Sequence, residues 1–380
     1  MTQKELFLAA LRGEEVDRVP VWLREGFPIV DGPADADDFT RGWQADPDYR
    51  ALYEYVKPHV VAFSHWWVPS FNRMLMVPPK CVKTRTESVS GDLRRSHTRV
   101  ETPSGELTAV SERRRGVATG WSIKPAVECV EDLLKLAEVP FEIDPAHIEQ
   151  GIEHYEEAAR RAGDRAVLRM SLPSPIVAIS GTMCLELFLE LSHTEKDLFH
   201  QLLEEITRRE LEVLRAVFNR RELETVVNLG GSEQCTPPMM APGAYEEYVE
   251  PYDGQIVDFL HEQGVLVNMH CHGKVSRALE CMRRMGLDST EPVEPPPAGD
   301  VTWEEAREIV DGEVTLIGNL EFDELESAEP ERIRRRVREI LSHGTRRVVL
   351  AASAGPISAV APRLAANYRV WVDAAREFGG

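Results

Sequence analysis

The sequence predicts an α/β fold, a (β/α)8 TIM barrel with a β-hairpin insertion after the second strand. Three observations predict it. Eight short runs rich in Val, Leu and Ile each precede a helical stretch. The runs end in polar residues or glycine, as barrel strands do where they open into loops. No GxGxxG or Walker loop of a doubly wound sheet is present. At 380 residues the chain exceeds the ~250 of a bare barrel, which leaves room for an N-terminal helix and an insertion within one domain, residues 1–380.

The elements follow in order. Leu6, Phe7, Ala10 and Leu11 form one stripe of a helix over Gln3–Arg12, ended by Gly13. The first strand, Arg18–Leu23, runs straight into Arg24 and Glu25. A helix near Asp48–Tyr55 leads to the second strand, Val60–Trp67, which carries Ser64 and His65 near its end. From about residue 74 to 121 short β-like runs alternate with turn signals at Ser90-Gly91-Asp92 and Pro103-Ser104-Gly105, the texture of a hairpin or meander. Its cations, among them Arg94, Arg95, Arg99, Arg113, Arg114 and Arg115, read as a solvated face; the alternative is a flap that brings charge to an anionic ligand. The βα rhythm then resumes with strands at Ala166–Ser171, Thr225–Glu233, Val265–His272, Leu287–Glu294, Val314–Glu321 and Arg347–Ser353. Helices separate them, and a last helix over Ala361–Phe378 closes the chain.

Composition excludes several partners. Lys and Arg number 44 against 64 Asp and Glu, a net charge of −20, and neither nucleic acid nor an anionic membrane suits such a surface. No run of ~18 apolar residues suggests a membrane span, and the N-terminal stretch lacks a signal-peptide core, so a cytoplasmic location is expected. Six cysteines without CxxC spacing read as reduced core thiols.

The chemistry is organised around Val265–Gly273, VLVNMHCHG. Alternation on a strand sends His270 and His272 to one side and Cys271 to the other. Two imidazoles at a strand end can chelate a metal, with zinc, iron and nickel all suited to nitrogen ligands. The alternative is one wall histidine bonded to its neighbours and one that touches substrate. Glu233, after Gly231 and Ser232, is the first candidate for a third ligand; Glu294 and His65 are the others. Glu294 in the proline-stiffened EPPP loop is otherwise a general base or a partner that orients a histidine. Arg24 is placed to hold a carboxylate, the alternative being a salt bridge to Glu25 or another acid. His65, beside Trp66 and Trp67, is a candidate proton donor, and Asn319 and Ser353 at later strand ends are candidate substrate contacts.

These segments together resemble the uroporphyrinogen decarboxylase superfamily, which also holds zinc-dependent cobalamin methyltransferases. The likeness runs through DRVPVWLREG, GDLRRSHTRVETPSGEL, GSEQCTPP, VNMHCHGKV, EPVEPPPAGD, LIGNLE and AASAGP. It implies a barrel, is compatible with a homodimer, and leaves the activity open. Against the decarboxylases, Arg24 matches the first of two arginines, the second is missing, His65 stands at an Asp position, and Ala354 or its neighbours in AASAGP stand where a late histidine would be. Against the zinc methyltransferases, His270 matches a ligand in H-x-C-G, but His272 stands at the Cys position and Ser353-Ala354 where a further Cys is expected. A site without thiolates leaves a metal a stronger Lewis acid, better at polarising an oxygen than at keeping a thiol nucleophilic.

The leading expectation is therefore a metal-dependent enzyme, zinc first, for methyl or other group transfer on a small anionic substrate. His270, His272 and Glu233 would hold the metal, Arg24 would anchor the substrate, and Glu294 or His65 would move the proton. The runner-up is a metal-free decarboxylase, a lyase using Arg24 and His65. A third reading is a non-catalytic barrel that binds a corrinoid or porphyrin-like ligand. No DxHxxG motif is present, so a corrinoid would arrive on a partner protein.

Overall fold

The computed structural model describes every residue, Met1–Gly380. Helix α1 (Gln3–Arg12) opens with a Thr2–Glu5 capping box and ends at Gly13, φ 71°. In chain order there follow β1 (Val21–Trp22), α2 (Pro47–Val56), β2 (Ala62–Trp66), then β3 (Val82–Ser90), β4 (Leu93–Thr102), β5 (Gly105–Arg114) and β6 (Gly120–Lys124). Next come α3 (Val130–Ala137), α4 (Pro145–Ala162), β7 (Ala166–Pro173), α5 (Pro175–Ser180), α6 (Leu185–Thr194), α7 (Lys196–Phe218) and β8 (Val226–Gly230). The remainder is α8 (Ala244–Tyr248), α9 (Glu250–Glu262), β9 (Leu266–His270), α10 (Ser276–Arg284), β10 (Ser289–Glu291), α11 (Trp303–Val310), β11 (Thr315–Leu320), α12 (Phe322–Ser327), α13 (Pro330–Ser342), β12 (Val348–Ala352) and α14 (Pro362–Phe378).

Eight parallel strands form one sheet in the order β1-β12-β11-β10-β9-β8-β7-β2. Its two ends meet where the Val61 N–H donates to the Val21 carbonyl at 2.8 Å. The (β/α)8 expectation holds. Strand boundaries are tighter than the apolar runs suggested, because pairing stops where the chain turns: β9 ends at His270 and β10 at Glu291, so His272 and Glu294 lie in the loops beyond. The long helical stretch after Cys184 breaks in two at Glu195.

Which end of the barrel is open follows from α1. Its Phe7, Ala10 and Leu11 pack under Trp22, Val61, Val167, Val226, Ile317, Val349 and Ala351, an apolar plug that closes the amino-terminal end. Thr315 Oγ donates to the Ala10 carbonyl at 2.7 Å and ties the plug to β11. The larger core lies between strands and helices. Polar side chains of the barrel interior are left facing the carboxyl-terminal mouth.

The insertion is a four-stranded antiparallel sheet, β3-β4-β5-β6, larger than a single hairpin. Residues opposite one another share a face. One face carries the hydroxyl pairs Thr84–Thr98 and Thr86–Ser96. The other carries the Lys83–Glu101 and Arg95–Glu112 ion pairs and the His97–Glu87 contact, a solvated face. Val100 and Leu107 bury its base. At its tip Arg94 and Arg115 lie over the Phe39 ring at 3.9 and 4.9 Å, and the Gly116 N–H donates to the Phe39 carbonyl at 2.8 Å. The cations thus clamp the β1 loop, and no inserted residue lines the mouth cavity.

Candidate functional site

The mouth holds a cavity of about 400 Å³, walled by the loop after β1 and by inward residues of β2, β7, β8, β9 and β10. Strand alternation places these residues. On β7 Val167 belongs to the plug, Arg169 stands above it, and Ser171 above that.

At the cavity floor is a buried charge network that realises the alternative for Arg24, a salt bridge to Glu25 and to another acid, Glu291, and adds Arg169, Asn228, Asn268 and Ser289 to it. Arg169 Nη2 donates to Glu291 Oε1 at 2.8 Å and to Asn228 Oδ1 at 2.5 Å. Asn268 Nδ2 donates to the same Asn228 oxygen at 2.6 Å and to Glu291 Oε1 at 3.3 Å, while Ser289 Oγ donates to Asn268 Oδ1 at 2.7 Å. Arg24 Nη1 pairs with the other Glu291 oxygen, and its Nε lies 3.4 Å from Glu25 Oε2. Both guanidinium carbons lie 4.7 Å from the Trp22 ring centre. Arg24 takes a left-handed backbone, φ 67°, a conformation that costs a non-glycine residue about 1–2 kcal/mol. Burial pushes Arg169 down to about 9, with the like charge of Arg24 adding to it, and it remains a cation at neutral pH. The Glu25 carboxyl faces the cavity, with more than half of its side-chain surface open; what loss of hydration it has raises it, and the charges of Arg24 and Arg169 outweigh that and hold it below the usual carboxylate range.

The loop after β12 explains why Arg24 sits so. A Cβ on Gly355 would meet the Glu25 carbonyl oxygen at 2.0 Å, so the AASAGP glycine lets two backbones touch and fixes the Glu25 main chain. Gly299 does the same for Glu294, whose carbonyl oxygen would lie 1.9 Å from its Cβ.

The two histidine rings stand together, centres 4.7 Å apart, with His270 the last residue of β9 and His272 in the loop beyond it, where strand alternation no longer acts. His270 Nδ1 lies 3.7 Å from Glu291 Oε1. His272 Nδ1 lies 2.9 Å from Glu294 Oε1, and Glu294 Oε2 accepts from the Gly273 N–H at 2.6 Å. Burial raises the Glu294 carboxyl, but these two hydrogen bonds outweigh it and leave it lowered. Burial drives His270 down to about 2, and the nearby Arg24 charge adds to the shift, so its imidazole is neutral. His65 lines the cavity; loss of hydration, then Arg169, holds it at about 4.

Other predicted residues fall elsewhere. Glu233 stands on the turn Ser232–Cys235, where its charge adds to burial in raising the Cys271 thiol, and no group of three His, Cys, Asp or Glu side chains converges to hold a metal. In this arrangement His270, His272 and Glu233 do not form the expected three-residue cluster. Asn319 Oδ1 accepts from Arg336 Nη2 of α13 at 2.7 Å, so that side chain serves the helical layer and not the mouth. Ser353 Oγ donates to Glu321 Oε2 at 3.0 Å and accepts from the Phe322 N–H, an internal brace at the rim. Of the residues missed, Arg169 and Asn228 did carry a signal, each a polar residue in a largely apolar strand, whereas Glu291 ends the all-polar β10, Ser-Thr-Glu, and carried none.

The family model described as uroporphyrinogen decarboxylase (URO-D) matches residues 120–378. No curated protein matches the sequence. Among solved structures, a methyltransferase from Methanosarcina mazei is similar over 100% of this chain and 99% of its own, with TM-score 0.65 and 17% identity. A putative vitamin-B12 independent methionine synthase from Listeria monocytogenes covers 64% of this chain and 72% of its own, with TM-score 0.44 and 13% identity. Identities this low speak to fold alone.

Proposed function

The chain belongs to the uroporphyrinogen decarboxylase family, and we propose that it is an enzyme of decarboxylase or transferase type acting on a small carboxylate bound in the barrel mouth. One observation carries this reading. Two buried guanidiniums, Arg24 and Arg169, converge at the floor of a 400 Å³ cavity at the end of the barrel where such folds place their chemistry. A carboxylate set against them is gripped by planar, charge-assisted donors. His65 and His270, both neutral, flank it. A bound anion favours the protonated imidazole, so substrate binding would ready His65 to give up a proton to the reacting carbon.

Zinc-dependent group transfer is the second reading, and one feature favours it. Each imidazole turns its Nδ1 toward a carboxylate, Glu291 or Glu294, the arrangement that orients metal-ligating histidines. His270 and His272 would hold such a metal as nitrogen ligands, a third ligand would come from a neighbouring carboxylate, and the metal would supply Lewis-acid polarisation of a substrate oxygen.

The test is titration of the full chain with a panel of small carboxylates, alongside elemental analysis of wild type, His270→Ala and His272→Ala. Carboxylate binding that is lost in folded Arg169→Met supports the mouth as the substrate site. About one metal per chain, absent from both histidine variants, would favour group transfer; carboxylate binding without metal would favour the proton chemistry. Failure of every carboxylate to bind would sink the reading.

A further inference from the structure

The two arginines in the mouth are already neutralised, by Glu291 and Glu25. The two acids are not equivalent. Glu291 is fixed: its side chain is 1% exposed, it accepts from Arg169 and Asn268, and it pairs with Arg24. Glu25 is 59% exposed, lines the cavity, and has one contact in the mouth, the 3.4 Å approach to Arg24 Nε. Its main chain is pinned against Gly355 and Gly26 packs on Pro356, so only its side chain is free to leave.

We infer that Glu25 is a resident carboxylate, seated where the carboxylate of the substrate binds, and that the mouth admits an anion by exchange for it. The inference rests on the carboxylate reading of the previous subsection. With Glu25 swung out, two guanidiniums face the single charge of Glu291, and the site carries one uncompensated positive charge. That favours a head group with one negative charge. A neutral amide leaves the charge unmet, and a doubly charged group overshoots it. Glu25 is thus a specificity-determining residue: it keeps the buried cations neutral between turnovers and sets the charge of what replaces it. No hinge is required, because the exchange is a side-chain rotation on a fixed backbone.

Competition of this kind lowers apparent affinity by the fraction of time the site is free. If Glu25 occupies Arg24 for two thirds to nine tenths of the time, its removal tightens anion binding roughly three- to tenfold. The experiment is calorimetric titration of full-length wild type, Glu25→Gln and Glu25→Ala with propionate and with propionamide, checked by Trp22 fluorescence. Both variants are expected to bind propionate more tightly by that factor and to leave propionamide unchanged. Equal or weaker propionate binding in the variants would overturn the inference while the carboxylate reading stands. No propionate binding by any of the three proteins would overturn both.

Discussion

Glu291→Gln removes the single acid between two buried guanidiniums while keeping its shape. Three interactions change at once: the 2.8 Å charge-assisted bond from Arg169, the 3.3 Å bond from Asn268, and the ion pair with Arg24. Glu291 is 1% exposed and the two arginine side chains 3% and 10%, so water cannot take its place. Breaking a buried pair by losing one partner costs about 3–5 kcal/mol. Against a total stability of roughly 5–15 kcal/mol, that is a large share. Equilibrium urea unfolding of wild type and variant, followed by circular dichroism and tryptophan fluorescence, reads the difference. The triple variant Arg24→Met, Arg169→Met, Glu291→Leu should lose less than Glu291→Gln alone, because no charge is then left unpaired. A loss below about 1 kcal/mol in Glu291→Gln, or a triple variant less stable than the single, would refute the view that these charges are mutually dependent.

Three other outcomes are expected. Glu210 and Asp253 are buried together without a cation; burial pushes Asp253 up to about 7, and burial and then Asp253 push Glu210 well above its usual range. Their folded-state pKa values lie above the unfolded ~4, so the stability they lend is complete below that pH and lost as pH climbs through about 7. The urea midpoint should fall between about pH 5 and pH 8 more steeply in wild type than in Glu210→Gln, and parallel curves would reject this. Gly355→Ala forces a Cβ onto the Glu25 carbonyl, backbone against backbone, and should cost about 1–3 kcal/mol in a melting experiment while weakening carboxylate binding. Phe39→Ala removes the ring under Arg94 and Arg115, and hydrogen exchange should quicken at residues 113–118 and in the β1 loop with the barrel strands unchanged; uniform exchange would show the clamp to be incidental.

The sequence by itself determined whatever depends on local period. Eight apolar runs with helices between them make a barrel. The apolar run that ends at His270 puts that histidine at the mouth, and a strand running into Arg24 does the same for the arginine. Each follows from geometry within a few residues. Tertiary structure alone decided which charges meet. Arg169 reaches Asn228 across 59 residues and Glu291 across 122, and only strand order and register bring them within reach. The same long-range packing drew Asn319 to Arg336 and laid the inserted arginines on Phe39. A charge inside a barrel must find its partner wherever the sheet delivers one, because leaving it unpaired out of water costs more than any local preference supplies.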